Sequence, residues 1–178
     1  MMDSNAIEEP CDEHTIKELI DCLGDKIGMS RQQARLMLIK MGKPAAPFLI
    51  EALTSQDEHV RWGAAKALVS IEDPLAAPAL VNALMDESSQ IRWLAAKALI
   101  ALQRSALVPL LTALELHSDS LCLKQGAHHV LHDLKKAGLL DKDTLQVLTD
   151  LNDFDNQTLV PLSALKALNS ILGKNDLE

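Results

Sequence analysis

Residues 60–71 read VRWGAAKALVSI and residues 91–102 read IRWLAAKALIAL, so a helix-length segment returns almost unchanged after 31 residues. A fixed interval of this size is typical of stacked units that each bury an apolar face against the next unit. Within the first copy, apolar residues recur at Val60, Ala64 and Leu68, which makes one stripe on an α-helix. The repeat therefore predicts a helical solenoid rather than a single closed core.

The predicted unit is a helical hairpin, and in its three central copies the first helix carries a proline in its first turn. Residues 46–53 (APFLIEAL), 77–84 (APALVNAL) and 107–114 (LVPLLTAL) carry this helix. Proline belongs in the first turn of a helix because its missing N–H would have no partner there. At the end of the chain, ALKALNSI at 164–171 matches AAKALVSI at 64–71. We predict an all-α, right-handed α-α superhelix of about five hairpins.

The predicted domain organisation is one repeat domain over residues 13–173. An acidic N-terminal tail (1–12) and a short C-terminal tail (174–178) are expected to fray, as chain ends usually do. The two outer copies of the repeat are degenerate, which is common for capping units. The predicted units span about 14–42, 44–72, 74–103, 105–137 and 142–173.

Composition supports this fold and excludes several classes of protein. The chain of 178 residues holds 33 Leu and 22 Ala but only two Trp, two Phe and no Tyr, which suits closely packed helices. A net charge of −8 argues against non-specific binding to polyanions. Three scattered cysteines predict reduced thiols, and no apolar run is long enough for a bilayer. We expect a cytoplasmic protein with no membrane contact.

The repeat resembles the HEAT-like repeats of the phycobilisome-lyase type. The resemblance is carried by IRWLAAKALI (91–100), by the stop Glu72-Asp73-Pro74 and by APALVNAL (77–84). It implies that the second helices of the hairpins line the concave surface. In this family such stacks are subunits of bilin lyases, iron-dependent hydroxylases or DNA glycosylases, and many are interaction scaffolds. The resemblance therefore implies the fold more specifically than the function.

A candidate binding groove follows from the outward side of the second helices. At about 100° per residue, Trp62, Lys66 and Val69 point away from the apolar stripe. The equivalent positions in the next units combine a second tryptophan with basic, aliphatic and histidine residues. Exposed tryptophan is enriched at binding hot spots. The predicted partner-binding residues are Trp62, Lys66, Val69, Trp93, Lys97, Ile100, Gln125, His129 and His132.

Basic residues concentrate on the second helices, where the sequence places Asp133 as the one acid. A groove kept clear of carboxylates predicts an anionic partner. We interpret Arg31, Arg61, Arg92 and Lys124 differently, as structural residues that pair with acids in the turns. The acids considered for these pairs are Asp57, Glu58, Asp86 and Glu87.

Enzymatic chemistry finds little support in the sequence. His128 and His132 lie four residues apart and are weak candidates for a metal pair, because no third ligand has a suitable spacing. The family's iron hydroxylases use His-Glu dipeptides, whereas this chain has the reversed Glu13-His14 and Glu58-His59. No phosphate loop or nucleophile motif is present. We predict no catalytic residue and no cofactor.

The leading hypothesis is a non-enzymatic scaffold whose groove binds an acidic, partly apolar peptide or helix of another protein. Nucleic-acid binding of the glycosylase type is the first alternative, supported by the basic groove and opposed by the net charge. A bilin-lyase subunit or chromophore chaperone is the second, by resemblance alone. The tryptophans could instead pack on neighbouring loops or form a homodimer contact.

Overall fold

The computed structural model describes residues 12–153 and 157–175. All regular secondary structure in those residues is helical, and short 3-10 turns precede the third, fifth, seventh and tenth helices. The predicted all-α repeat fold is confirmed. The helices are α1 (Glu13–Cys22), α2 (Gly28–Met41), α3 (Ala46–Ala52), α4 (Glu58–Ile71), α5 (Ala77–Ala83), α6 (Ser89–Ala101), α7 (Leu107–Leu116), α8 (Leu121–Lys136), α9 (Lys142–Asn152) and α10 (Val160–Asn175).

The first eight helices pair into four hairpins that stack in two rows. Helices α2, α4, α6 and α8 pack side by side and form the second-helix row, while α1, α3, α5 and α7 form the first-helix row. The contact between α4 and α6 is among the most extensive in the molecule. Ala64, Ala65, Ala95 and Ala96 of these two helices are buried. Small side chains let these two repeated helices approach closely, and this explains why the AAKAL motif recurs.

The hairpins stop where the sequence predicts. Helix α2 ends before Gly42, whose φ of 71° is in the left-handed region, and α4 ends before Glu72 with a φ of 54°. After Glu72, the Asp73 carboxylate accepts a hydrogen bond from the Leu75 N–H at 3.0 Å. A left-handed residue followed by a capped proline turn ends one unit and begins the next.

The predicted arginine ladder has a repeated geometry. Arg31, Arg61 and Arg92 each donate through Nη1 to the two backbone carbonyls five and six residues earlier, in the turn before their helix. Arg61 also reaches the next unit, with Nε 2.8 Å from Asp86 Oδ2 and Nη2 2.8 Å from Glu87 Oε1. The hydrogen bond to Asp86 raises the pKa of Arg61. The predicted acid pairing is thus confirmed for Arg61, whereas Arg31 and Arg92 bind turn carbonyls.

The last hairpin departs from the predicted order. Helix α9 packs on α8 and α10, while α10 packs most extensively on α7. The second helix of this hairpin therefore lies against the first-helix row, contrary to the register predicted from ALKALNSI. Lys166, which that register aligns with Lys66, instead pairs with Asp143 of α9 at 3.1 Å. The apolar stripe of α10 fits the open side of α7, and a stripe alone does not specify its neighbour.

The predicted tails lie mostly outside the described residues. Asp12 is described and caps α1 by accepting from the His14 N–H, and α10 extends to Asn175. Across the described ranges, every helix is too short or too polar to cross a membrane.

Candidate functional site

Both tryptophans line one cleft between α4 and α6. The cleft has a volume of about 420 Å³, and Trp62 and Lys66 form its α4 wall. Trp93 and the first residues of α6, Ser89 and Gln90, form the other wall. The structure thus brings three of the predicted residues, Trp62, Lys66 and Trp93, into one site, which we call the tryptophan cleft.

A cation lies over each indole ring. Arg35 Cζ is 5.0 Å from the centre of Trp62, and Lys97 Nζ is 4.6 Å from the centre of Trp93. Contacts of this length are attractive because the face of an indole carries negative charge. Arg35 is half-buried, and this burial lowers the pKa of its guanidinium. The cleft therefore combines apolar ring surface with positive charge that is incompletely hydrated.

The two tryptophans differ in exposure, although the sequence places them at equivalent positions. Trp93 is 53% exposed, whereas Trp62 is half-buried and packs against the core. Arg35 of α2 covers Trp62, and the residue equivalent to Arg35 in the next unit is Ala65. An alanine cannot reach the next tryptophan, so Trp93 stays open. Trp62 thus forms the inner wall of the cleft and Trp93 the accessible one.

The other predicted residues lie on the same row but outside the tryptophan cleft. Val69 and Ile100 are half-buried and pack against the core. Gln125, His129 and His132 are exposed on α8. The sequence analysis grouped these residues by helix face, and their role in binding stays a prediction. It did not assign Arg35 to the site, because only the packing of α2 on α4 places that guanidinium on Trp62.

The weak metal candidates have other partners. The rings of His128 and His132 stack 5.9 Å apart at an interplanar angle of 17°. His128 Nε2 is 2.7 Å from Asn152 Oδ1, and His132 Nδ1 is 3.7 Å from Asp133 Oδ1. Among the described residues, no group of three His, Cys, Asp or Glu side chains could hold a metal ion. His128 and His132 would supply two ligands, which is fewer than the four of a structural zinc site.

Comparison with known proteins agrees with this architecture. Residues 16–100 match the family model for HEAT repeats. The chain is also similar to a chain in the complex of CpcE and CpcF of phycocyanin lyase from Nostoc sp. PCC7120. That match has 22% identity and a TM-score of 0.57, and it covers 88% of this chain and 99% of that chain. No curated protein sequence matches this one. Residues 16–100 thus match HEAT repeats, and over most of its length the chain is similar in fold to a chain of that phycocyanin lyase complex.

Proposed function

We propose that this protein is an interaction scaffold whose second-helix row binds an acidic, amphipathic segment of a partner protein at the tryptophan cleft. The observation that carries the proposal is Trp93, a large indole that is 53% exposed beside a cleft containing Lys66 and Trp62. In this proposal Trp93 is the main anchor, and Lys66 and Lys97 contact carboxylates of the partner.

The apolar part of the argument concerns the indole surface. Covering the exposed part of Trp93 with an aliphatic side chain removes apolar surface from water, which stabilises a complex by about 25 cal/mol for each Å² buried. The cation on one face of the ring restrains its orientation, so less entropy is lost when a partner binds. The row beyond the cleft adds Val69 and Ile100, which are half-buried.

The electrostatic part concerns the acids. In the described residues of α2, α4, α6 and α8, the acids are Glu58, at the first position of α4, and Asp133. Asp133 already binds Lys136 at 3.1 Å. Among the residues that the structure describes, no acid lines the tryptophan cleft. Carboxylates of a partner would therefore meet positive charge at the cleft without local repulsion.

The arginine ladder favours a protein partner over nucleic acid. Nucleic-acid affinity depends largely on how many phosphates meet a cation. Arg31, Arg61 and Arg92 use their guanidinium groups on turn carbonyls and acids of their own chain. The other cations at or beside the cleft, Arg35, Lys66 and Lys97, form a stripe too short to follow a nucleic-acid backbone.

Intrinsic fluorescence tests the proposal directly, since the only two tryptophans of the chain line the same cleft. We would titrate the protein with a short peptide of repeated Glu-Leu-Leu-Glu blocks and record tryptophan emission. Trp93→Ala should weaken binding by about 2 kcal/mol, or roughly 30-fold, as measured with a dye-labelled peptide. Lys66→Gln with Lys97→Gln should chiefly slow association.

Leu75→Ala is the matched control because Leu75 is 73% exposed and lies outside the cleft. It should leave peptide affinity unchanged. Equal losses for Trp93→Ala and Leu75→Ala would reject the site. Labelled duplex and single-stranded DNA form a second arm, and salt-sensitive DNA binding tighter than peptide binding would favour the nucleic-acid alternative.

A second candidate function comes from the similarity to the phycocyanin lyase structure. The aligned chain of that complex is covered over 99% of its length, so this chain is long enough to match it. In this reading the tryptophan cleft would hold part of a linear tetrapyrrole against its indoles. Mixing the protein with a linear tetrapyrrole should then change the pigment's absorption spectrum, and Trp93→Ala should remove that change. An unaltered spectrum would leave the scaffold function as the better account.

A further inference from the structure

A second and larger cleft lies at the first-helix row. It has a volume of about 940 Å³ and is bounded by α1, α3, the α1–α2 turn and the start of α4. None of its lining residues lines the tryptophan cleft. Its apolar surface comes from Ile20, Phe48, Ala52 and Val60. We call it the acidic cleft, because four carboxylates surround this apolar floor: Asp21, Asp25, Glu51 and Asp57.

We propose that the acidic cleft binds a basic, partly apolar segment of a partner protein. The charge of the acidic cleft is opposite to that of the tryptophan cleft, so its partner would differ from the acidic segment proposed above. The volume is near the upper end of the range for ligand pockets, and the cleft is open, which suits a peptide segment better than an enclosed small molecule.

The charge of the cleft supports a cationic occupant. In the described part of the chain, none of the four carboxylates takes part in an ion pair within 4 Å. Asp57 accepts a hydrogen bond from the backbone N–H of His59, and Asp25 accepts from the Ile27 N–H and from the Ser30 side chain. The hydrogen bond from Ile27 lowers the pKa of Asp25, so this carboxyl stays ionised at neutral pH. A lysine or arginine of a partner would supply the opposite charge.

The chain itself shows what the apolar floor can hold. Lys17, the one cation among the lining residues, places its Nζ 5.7 Å from the centre of the Phe48 ring. That ammonium also lies 3.9 Å from Glu13 Oε2, outside the cleft. The floor thus already accommodates an ammonium over an aromatic face, the contact that a basic side chain of a partner would extend.

The shape of the cleft depends on a close approach at Gly24. A Cβ placed there would lie 3.0 Å from Asp57 Oδ2 and 3.1 Å from Val60 Cγ2. Glycine therefore lets the α1–α2 turn lie directly against the start of α4. This approach brings Asp21 and Asp25 to the same cleft as Asp57, although more than thirty residues separate them in sequence.

The test uses a dye-labelled peptide of repeated Lys-Leu-Leu-Lys blocks and the full chain. Asp21→Asn with Glu51→Gln removes two exposed charges from the cleft, and we expect affinity to fall on the order of tenfold. Glu115→Gln with Asp119→Asn is the matched control, because it removes the same net charge at the α7–α8 turn. The control should leave affinity within about twofold. Circular dichroism melts would confirm that both variants fold.

Two local reporters locate the peptide. A bimane attached to the exposed Cys22, which lines the acidic cleft, should change its emission on binding, with Cys11 and Cys122 replaced by serine. Tryptophan emission should not change, because both tryptophans lie at the other cleft. Equal weakening by the two double variants, a response of the tryptophans, or absence of binding would each overturn the proposal. The Glu-Leu-Leu-Glu titration tests the tryptophan cleft independently, so a negative result for one cleft does not reject the proposal for the other.

Discussion

Arg61 is the residue at which one repeat unit holds the next. Its guanidinium is nearly buried and binds the Asp86 carboxylate as well as carbonyls of its own turn. Arg61→Gln leaves those acceptors unpaired, and we expect it to lower the free energy of unfolding by about 2–3 kcal/mol. Urea denaturation followed by circular dichroism measures this. Arg92→Gln is the control, because Arg92 contacts only turn carbonyls in the described hydrogen bonds, and it should cost about 1 kcal/mol. Equal losses would contradict the role of Asp86.

The tryptophan cleft shows which residue-level features a sequence can predict. Helical periodicity placed Trp62, Lys66 and Trp93 on one face, because the angle per residue is a local property. The unequal exposure of the two tryptophans could not be predicted from the sequence. It arises because Arg35 of α2 covers the ring of Trp62, whereas Ala65 of α4 is too short to cover the ring of Trp93. A contact between two helices depends on how they pack against each other, and the sequence of a single repeat does not specify that packing.

At the level of elements, two helical glycines should respond in opposite ways to a methyl group. On α8, a Cβ at Gly126 would lie 2.8 Å from Cδ2 of the fully buried Leu84. Gly126→Ala should therefore lower the free energy of unfolding by about 1–3 kcal/mol. On α10, a Cβ at Gly173 meets no atom of the described residues within 4 Å, so Gly173→Ala should stabilise the helix by about 0.5–1 kcal/mol. Thermal melts of both variants check this, and destabilisation by Gly173→Ala would contradict the open surface.

The α9–α10 pair should be sensitive to acid. The hydrogen bond from Lys166 lowers the pKa of Asp143, and Ser170 adds to the effect. A carboxyl with a lowered pKa stabilises the fold above its unfolded value of about 3.9 and loses that contribution as pH falls through the folded value. The melting temperature of Asp143→Asn should thus lie below that of the wild type at pH about 6, and the difference should shrink as the pH falls through the lowered pKa of Asp143. A difference that persists in acid would show that the ion pair is not its cause.

The first four hairpins could be predicted from sequence because their signals are local. A proline in the first turn, a polar turn and an alanine-rich stripe each act within one unit, as Pro78 and Ala95 do. The rows that α9 and α10 join could not be predicted from the sequence, because both helices carry apolar stripes. Which row each joins depends on the surfaces that α7 and α8 leave open, and this is decided by packing across the whole end of the stack.

At the scale of the whole molecule, charge is divided between the two clefts. The chain has a net charge of −8, yet the described lining of the tryptophan cleft contains lysine and no acid, while the acidic cleft is negative like the molecule as a whole. The sequence displays basic second helices, whereas the carboxylates of the acidic cleft come both from first helices, as Asp21 and Glu51 do, and from turns, as Asp25 and Asp57 do. The position of the acidic cleft was not predicted, because Asp21 and Asp57 come together only when α1 packs beside α3 and α4.

This division predicts two different salt dependences. At ionic strength of about 0.01 M the screening length is roughly 30 Å, so an acidic peptide at the tryptophan cleft is repelled by the net charge of the molecule. At about 0.15 M the length is roughly 8 Å and the nearby lysines dominate, whereas at about 1 M even these are screened. The affinity of the Glu-Leu-Leu-Glu peptide, measured by tryptophan emission, should therefore pass through a maximum. The Lys-Leu-Leu-Lys peptide should weaken continuously with salt, because local and net charge attract it together. A continuous decline for the acidic peptide would mean that the net charge does not reach the tryptophan cleft.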